Sequence, residues 1–510
     1  MAKKNNSVDL IFKGTGIIFT GLILGTLMGY FTRMLMVWIY GTEGYGLYTI
    51  ASVVFNVFLL FVLLGITNGI IRYVSYYKAK GDYERVRGAA LSSLKYLVPI
   101  SLLMAAMMVL FSGELAVAFH GPEISQLIVI FAVVLPFAVL MKVFLGGLRG
   151  LGEPKYKVYA DDLAKSLSVI IFLLAFSALG FGVDSTVIAY SLGFVIAAVL
   201  SGFYLHKKLD FRGKRVPVNG EIVRFSLPLT VNIFLSMILS WADIIILGLF
   251  FQPSDVGVYN VALPTAEMLL VVATSFLYMF IPVITSLYAK NKMEEIRATY
   301  NAMMKWLFML VLPLFVLLAL FSSTVLNILF GPGLIIATTP LVILAAGYFM
   351  DSMSRLSMGV MQAIAKTRTI LMNATVSAVL NLALNLLLIP QYGIVGAAVA
   401  TATSLGAYAV MNVVFTYKYI RVQPVKPVFI KPIIATFAAT GLFFAIGKVA
   451  FADIPLWYLI AMFPCFLLVY ALMLLGFRTF NKDDIELLKR INKRLNIGTK
   501  FIERVLNKFV

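Results

Sequence analysis

Ionisable and amide side chains set inside long apolar runs are the residues with chemistry to offer here: Arg33, Asn56, Asn68, Lys142, Asp243, Glu267, Asp351 and Arg355. A charge at the centre of a bilayer costs from about 2.5 to more than 10 kcal/mol, so such groups pair with one another or face a wet cavity. Cations in that setting attract anionic groups; carboxylates can take up a proton or Na+. Neither type, at these spacings, forms a bond-making constellation. His120 and His206 are too far apart in sequence to form a zinc site by themselves. The lone Cys465 leaves no disulfide framework and no cysteine-rich metal site. "GLFFAIGK" (441–448) has five residues between its glycines where a phosphate-binding loop has four, and Val449 stands where Ser or Thr is needed. "GTG" (14–16) lacks the third glycine of a dinucleotide site. No cofactor, no resident metal and no enzymatic activity are expected.

The elements that must hold these residues are membrane spans. The chain has 510 residues, 61% of them hydrophobic and only 13% charged, with a mean hydropathy of +0.96. Soluble domains carry about 25% charged residues, and a spanning helix needs about 20 mostly apolar ones. Fourteen apolar runs answer to that length: 14–39, 46–70, 91–111, 124–145, 164–182, 185–205, 225–250, 257–286, 306–330, 338–362, 370–389, 394–417, 432–450 and 456–476. Lys3, Lys4 and Lys13 place the N-terminus inside, with the first run kept as a helix and not cleaved as a leader. In that orientation all but Arg33 and Lys448 of the 42 Lys and Arg residues lie in or beside cytoplasmic segments, as the positive-inside rule requires. The outer connection "SGELAVAFHGPE" (112–123) holds neither. The net charge of +19 therefore faces anionic lipid on the inner leaflet, and no nucleic-acid partner is needed to explain it. Beyond Arg478 the tail is basic, and Ile485, Leu488, Ile491 and Leu495 recur at helical spacing, which predicts an amphipathic helix on the inner membrane surface.

The chain also repeats itself at an offset of 211–213 residues. "GYGLY" (44–48) matches "DVGVY" (255–259), "YYKAKGDYERVR" (76–87) matches "LYAKNKMEEIR" (287–297), and "GGLRGLGEPK" (146–155) is echoed by "GVMQAIAKTR" (359–368). Six spans return the chain to its starting side, so the copies are parallel repeats related by an axis along the membrane normal. The organisation predicted is a first six-helix bundle with the N-terminal tail (1–220), a second bundle (221–425), two further helices (426–476) and a basic tail (477–510). Gly21, Gly25 and Gly29 form a small-residue face for close helix approach, and Pro99, Pro136, Pro228, Pro264, Pro282, Pro313 and Pro340 are positions for kinks. The repeat sorts the buried charges: Lys142 matches Arg355, Arg33 matches the neighbour of Asp243, and Asn56 matches Glu267. Plainer roles stand beside a ligand role. Lys142 could snorkel to the interface, Asp351 and Arg355 could pair at i, i+4, and Arg33 with Asp243 could be a structural ion pair. Arg72 reads as an interface anchor, and Asn381 and Asn385 read as bridges between helices.

Fourteen runs arranged as 6+6+2, with "GTEGYGLY" (41–48), "DVGVYNVA" (255–262) and "NLLLIPQYGIVGAAVATATS" (385–404), resemble the polysaccharide-export flippases of the multidrug/oligosaccharidyl-lipid/polysaccharide exporter superfamily. The likeness runs from about residue 10 to 420. It implies an all-α polytopic fold and a monomeric flippase. The implied task is to carry polyprenyl-phosphate-linked oligosaccharide or polysaccharide precursors from the inner to the outer leaflet by alternating access. The protein would sit in the cell membrane with both termini cytoplasmic. Its partners would be membrane lipid, the lipid-linked glycan and a coupling cation, H+ or Na+. On that reading Arg33, Lys142 and Arg355, with Asn56 and Asn68, would bind substrate. The alternative within the superfamily is an ion-coupled multidrug/cation antiporter, in which Asp243, Glu267 and Asp351 would couple the ion. A membrane glycosyltransferase would need a larger extramembrane segment than any here.

The charge distribution fixes a topology test. In a Cys465→Ser background, a cysteine replacing Glu123 should react with an impermeant maleimide added outside intact cells. Labelling only from the cytoplasmic side would reverse the orientation.

Overall fold

A computed structural model describes residues 2–422, 427–451 and 455–480. The amphipathic helix expected around residues 485–495 lies outside the described residues. Two compact units divide the chain, Met1–Val261 and Ala262–Val510. The first holds α1 (Ala2–Leu63), α2 (Ile66–Ala79), α3 (Tyr83–Leu91), α4 (Leu94–Leu110), α5 (Ser112–Ala118), α6 (Glu123–Gly150), α7 (Lys155–Lys157), α8 (Ser166–Ala178), α9 (Asp184–Lys208) and α10 (Asn219–Phe250). Chain order continues through α11 (Pro253–Glu267), which runs into the second unit, and then α12 (Leu269–Ala289), α13 (Met293–Leu320) and α14 (Ser322–Phe330). The last helices are α15 (Thr338–Ala363), α16 (Thr367–Ile420), α17 (Ile430–Ala450) and α18 (Leu456–Gly476). The all-helical polytopic class is as expected. Among the described residues nine helical stretches are long and apolar enough to cross a membrane; α1 and α16 each hold two helices on either side of a kink and run 46–70 is broken, so these stretches do not match the fourteen runs one for one.

The joins and breaks sit at glycine and proline. Gly41 takes φ 69° inside α1, and Gly393 takes φ 54° inside α16; a residue without Cβ adopts that region at little cost. At Gly393 α16 folds back on itself, since Asn373 pairs with Asn412 (2.9 Å) and Asn381 with Ser404 (3.2 Å) in antiparallel order. Run 46–70, expected to be continuous, breaks where Leu64 (φ 39°) and Gly65 (φ 73°) interrupt the helix between α1 and α2. Pro99, Pro136, Pro264, Pro282 and Pro313 lie inside helices as expected. Pro340 does not kink one: it occupies the first turn of α15, where its missing N–H is no loss.

In unit 1, α6 is the buried post. Phe55 stacks on Phe131 with ring centroids 4.8 Å apart, and Tyr48 meets Tyr190 at 5.1 Å. Unit 1 also takes in α10. Tyr77, at the end of α2, donates to both oxygens of Glu221 in the first turn of α10 (2.8 and 3.0 Å). Burial, with Glu221 beside it, pushes the Tyr77 phenol up to about 12, so it stays a donor. In unit 2, α15 packs on the α16 hairpin, on α12 and on α13. The α17–α18 pair covers α13 through Ala435, Ala439, Phe466 and Tyr470, whose hydroxyl donates to the Met309 carbonyl (2.9 Å).

Two copies of the repeated motif meet within unit 1. A Cβ on Gly46 would stand 1.7 Å from the Pro253 carbonyl oxygen, and one on Gly257 would stand 1.9 Å from that of Thr42. Asn260 then donates to Thr49 Oγ1 and to Tyr45 Oη, each at 2.9 Å. Thr42 and Pro253, Gly46 and Gly257, and Thr49 and Asn260 are each 211 residues apart, so matching positions pack on one another. No side chain can relieve a clash with backbone. Gly46→Ala should destabilise the protein by about 1–3 kcal/mol or more, whereas Gly113→Ala, with nothing within 4 Å of its Cβ, should not. Thermal unfolding in one detergent checks the pair.

Candidate functional site

Lys142 projects from α6 towards a short π-helix, Val158–Lys165, that begins the next membrane element. Its ammonium lies 3.6 Å from Asp161 Oδ2. Asp161 also takes a closer contact from Lys165, and Asp162 accepts from Lys157 at 2.7 Å. A π-helix widens the turn by one residue and recurs at functional sites; here it presents adjacent carboxylates to different lysines. The small face of α1 makes room for it. A Cβ on Gly21 would meet Val158 Cγ1 at 2.2 Å, and one on Gly25 would meet Asp162 Cβ at 3.1 Å, while Gly29 faces open space. Lys142 therefore does not simply snorkel. It is held in a group of three lysines and two aspartates, four of which the sequence reading had not singled out. Adjacent Asp161-Asp162 beside the start of an apolar run was the available signal.

Nearby, Glu153 sits in the turn after α6 with Lys208 at 2.6 Å and Lys155 at 3.3 Å. Partial burial would raise its carboxyl, but the hydrogen bonds from Lys208 and Lys155 outweigh this and hold it below the usual carboxylate range.

The break at Leu64–Gly65 forms a second polar feature of unit 1. Asn56 and Asn68 line a cavity of about 220 Å³ there, with Thr67, Ile233 and Trp241. Thr230 Oγ1 caps the freed Leu64 carbonyl at 3.0 Å. An unwound stretch at membrane depth is tolerated where it borders a cavity. Towards the Gly41 kink inside α1, Arg33 lies within electrostatic range of the Tyr45 and Tyr48 hydroxyls. Buried Asp243 accepts from Tyr259 Oη (2.6 Å) and from the backbone N–H of Ile244 (2.9 Å). Arg72 lies over the Phe225 ring, 4.3 Å from its centroid.

In unit 2 the structure brings three predicted residues together on α15 and α11. Arg355 donates to Asp351 Oδ2 through Nε (3.2 Å) and Nη2 (2.6 Å), the intrahelical i, i+4 pair. One turn earlier Tyr348 donates to Glu267 Oε1 at 3.0 Å. Asp351 is 1% exposed, yet the Arg355 side chain keeps 30% of its surface. Asn381 acts as a bridge, donating to Thr401 and Ser404 across the hairpin, whereas Asn385 donates to Asn381 on its own helix (3.0 Å). Among the described residues no group of His, Cys, Asp and Glu could hold a metal ion.

Each unit thus carries a cation at a repeat-matched position, and each cation is answered by a buried carboxylate. Chemically the arrangement can bind and exchange anions; it has no nucleophile with a base beside it.

The polysaccharide biosynthesis protein family matches residues 11–288, and the MatE family matches residues 228–387. An uncharacterized membrane protein of Methanocaldococcus jannaschii is 24% identical over 464 residues, covering 86% of this chain and 90% of that one. A Haloferax volcanii protein named "Probable low-salt glycan biosynthesis flippase" is 29% identical over 184 residues, 36% of this chain and 39% of its own. Among solved structures, the lipid II flippase MurJ in an inward closed conformation superposes with a TM-score of 0.71 at 17% identity, over 90% of this chain and 98% of that one.

The compensated charges predict a coupling. Asp161→Asn should destabilise unit 1 by about 1–3 kcal/mol, because it strands two partly buried ammonium groups. Adding Lys165→Met should cost less than the sum of the single changes, with a coupling of at least about 0.5 kcal/mol. A double-mutant cycle of thermal unfolding measures it.

Proposed function

The chain belongs to the polysaccharide biosynthesis protein family, within the multidrug/oligosaccharidyl-lipid/polysaccharide exporter superfamily, and from that premise we propose that it flips polyprenyl-phosphate-linked glycan precursors across the cell membrane. It is a multi-pass membrane transporter rather than an enzyme, as the flippases among its relatives are. The observation that carries the substrate class is the matched pair of cations, Lys142 and Arg355, each in an apolar helix and each only partly engaged.

Lys142 is the looser partner of Asp161, which Lys165 holds more closely. Arg355 spends Nε and Nη2 on one carboxylate oxygen, leaving Nη1 without a partner among the described residues. A phosphate arriving at either cation can trade places with a carboxylate that keeps other donors: Lys165 for Asp161, and Ser354 for Asp351 (3.5 Å). The cation is never left bare in a low-dielectric setting, and charge-assisted contacts to phosphate are among the strong ones. The glycan itself is polar and would pass along a wet cleft, towards which Asn56 and Asn68 offer amides. The chain carries no nucleotide-hydrolysing motif, so a cation gradient is the drive that fits. We assign the coupling carboxylate to Glu267, which is exposed and held only by the Tyr348 phenol among the described residues. Asp351, neutralised by Arg355, and Asp243, held by Tyr259, serve structure. The antiporter alternative would need the charge of the site to be mainly acidic, and the half-buried cations Lys142 and Arg355 weigh against it.

Reconstitution in vesicles with defined polyprenyl-diphosphate sugars, reading headgroup exposure on the outer leaflet, tests this. Lys142→Ala and Arg355→Ala should each lower transport about tenfold, a loss of one charge-assisted contact, and the double variant should abolish it. Glu267→Gln should remove the dependence on the ion gradient. A stable double variant that transports at the normal rate would overturn the assignment.

A further inference from the structure

A cavity of about 440 Å³ lies in unit 1 away from the residues assigned to transport, where α4 begins and where the connection from α9 turns into α10. Lys95, Tyr96, Phe144, Phe211, Arg215 and Asn219 are among the residues that line it. Its chemistry is divided. One wall is cationic: the Lys95 ammonium has no partner among the described residues, and Arg215 gives one nitrogen to the Phe211 carbonyl and keeps the rest of its fork free. Another wall is aromatic, from Phe144, Phe211 and Tyr96. The Asn219 amide oxygen, in the first turn of α10, is buried behind the cavity surface.

The cavity has a fixed frame. The loop that carries Arg215 is tied to α3: Arg87 Nε donates to the Lys214 carbonyl at 2.8 Å, and Val216 N–H donates to the Glu84 carbonyl at 3.2 Å. Gly88 allows the approach, since a Cβ there would stand 1.8 Å from the Val216 oxygen. Away from the cationic wall, Tyr96, Ile100 and Leu103 are exposed at i, i+4 and i+7 on α4, an apolar stripe running towards the centre of the expected span. Cations at one end and an apolar stripe leading away from them reproduce the complement of an anionic phospholipid.

We propose that this cavity binds an anionic phospholipid of the cytoplasmic leaflet, with the phosphate between Lys95 and Arg215 and an acyl chain along Tyr96, Ile100 and Leu103. The two cations select an anion over a zwitterion. A volume of about 440 Å³ accepts a phosphoglycerol headgroup and falls within the range of ordinary ligand pockets, about 300–1,000 Å³. The lipid would bridge α4, α6 and the entry to α10, bracing the connection into that helix.

Detergent-purified full-length protein titrated with short-chain phosphatidylglycerol, and read by native mass spectrometry and thermal shift, tests the proposal without any transport assay. Phosphatidylglycerol should bind and raise the unfolding temperature, phosphatidylcholine should not, and inorganic phosphate should fail to compete. Lys95→Glu/Arg215→Glu should weaken phosphatidylglycerol binding by at least about tenfold. Lys95→Glu alone, at an exposed position without partners, should show a smaller loss in a normally folded protein. Arg212→Glu/Lys214→Glu changes the same charge on the same loop outside the cavity and should leave binding within about twofold. Unchanged binding in Lys95→Glu/Arg215→Glu, equal loss in the Arg212/Lys214 control, or competition by inorganic phosphate would each overturn the site.

Discussion

Two missing Cβ atoms set the geometry beside the Gly41 kink inside α1. Gly46 lies against the Pro253 carbonyl and Gly257 against that of Thr42, at distances no other residue could reach. Because the backbones touch, the neighbouring polar side chains are drawn into contact. Asn260 reaches Thr49 and Tyr45, and Tyr259 turns to Asp243. A buried carboxylate at that depth would be costly alone; inside this hydrogen-bonded knot it is supplied with donors. The repeated motif is therefore a packing device, and the polar residues around it follow from the contact it makes possible.

A second constraint runs through both units: a charge in an apolar helix must be answered from within the protein. The two units answer it differently. Lys142 is met by a carboxylate on the π-helix of the following element, and that carboxylate is shared with Lys165. Arg355 is met by Asp351 on its own helix, one turn away. The shared arrangement leaves Lys142 loosely held. The intrahelical one keeps the guanidinium fork oriented and partly open.

The ends of the helices rich in lysine and arginine have a further layer of organisation. Glu153 gathers Lys208 and Lys155, and Arg87 and Gly88 pin the loop that leads to α10. Most of this basic charge is exposed and individually worth little to stability. At Lys95 and Arg215 the same kind of charge stands on the wall of a cavity.

Much of this was legible in the amino-acid sequence. Apolar run length and Lys/Arg placement determined a polytopic helical protein, because a bilayer demands both of every span. The offset of 211–213 residues paired Lys142 with Arg355, and the i, i+4 spacing already offered Asp351 as the partner of Arg355. Asn381 was readable as a bridge, since amides at membrane depth need partners wherever they sit, although Asn385 finds its partner within its own helix. What the sequence could not supply were the choices that depend on a neighbour distant along the chain. Nothing local to Lys142 names Asp161, which stands on the π-helix of the following element. Run 46–70 reads as one helix because Leu64 and Gly65 are apolar, and only packing in unit 1, with Thr230 capping the Leu64 carbonyl, makes the break affordable. The cavity at Lys95 and Arg215 joins residues more than a hundred positions apart, brought together by the close approach at Gly88. Hydropathy is a property of each segment and survives without a fold. Partnership among buried polar groups is a property of contacts, and only the tertiary structure decides it.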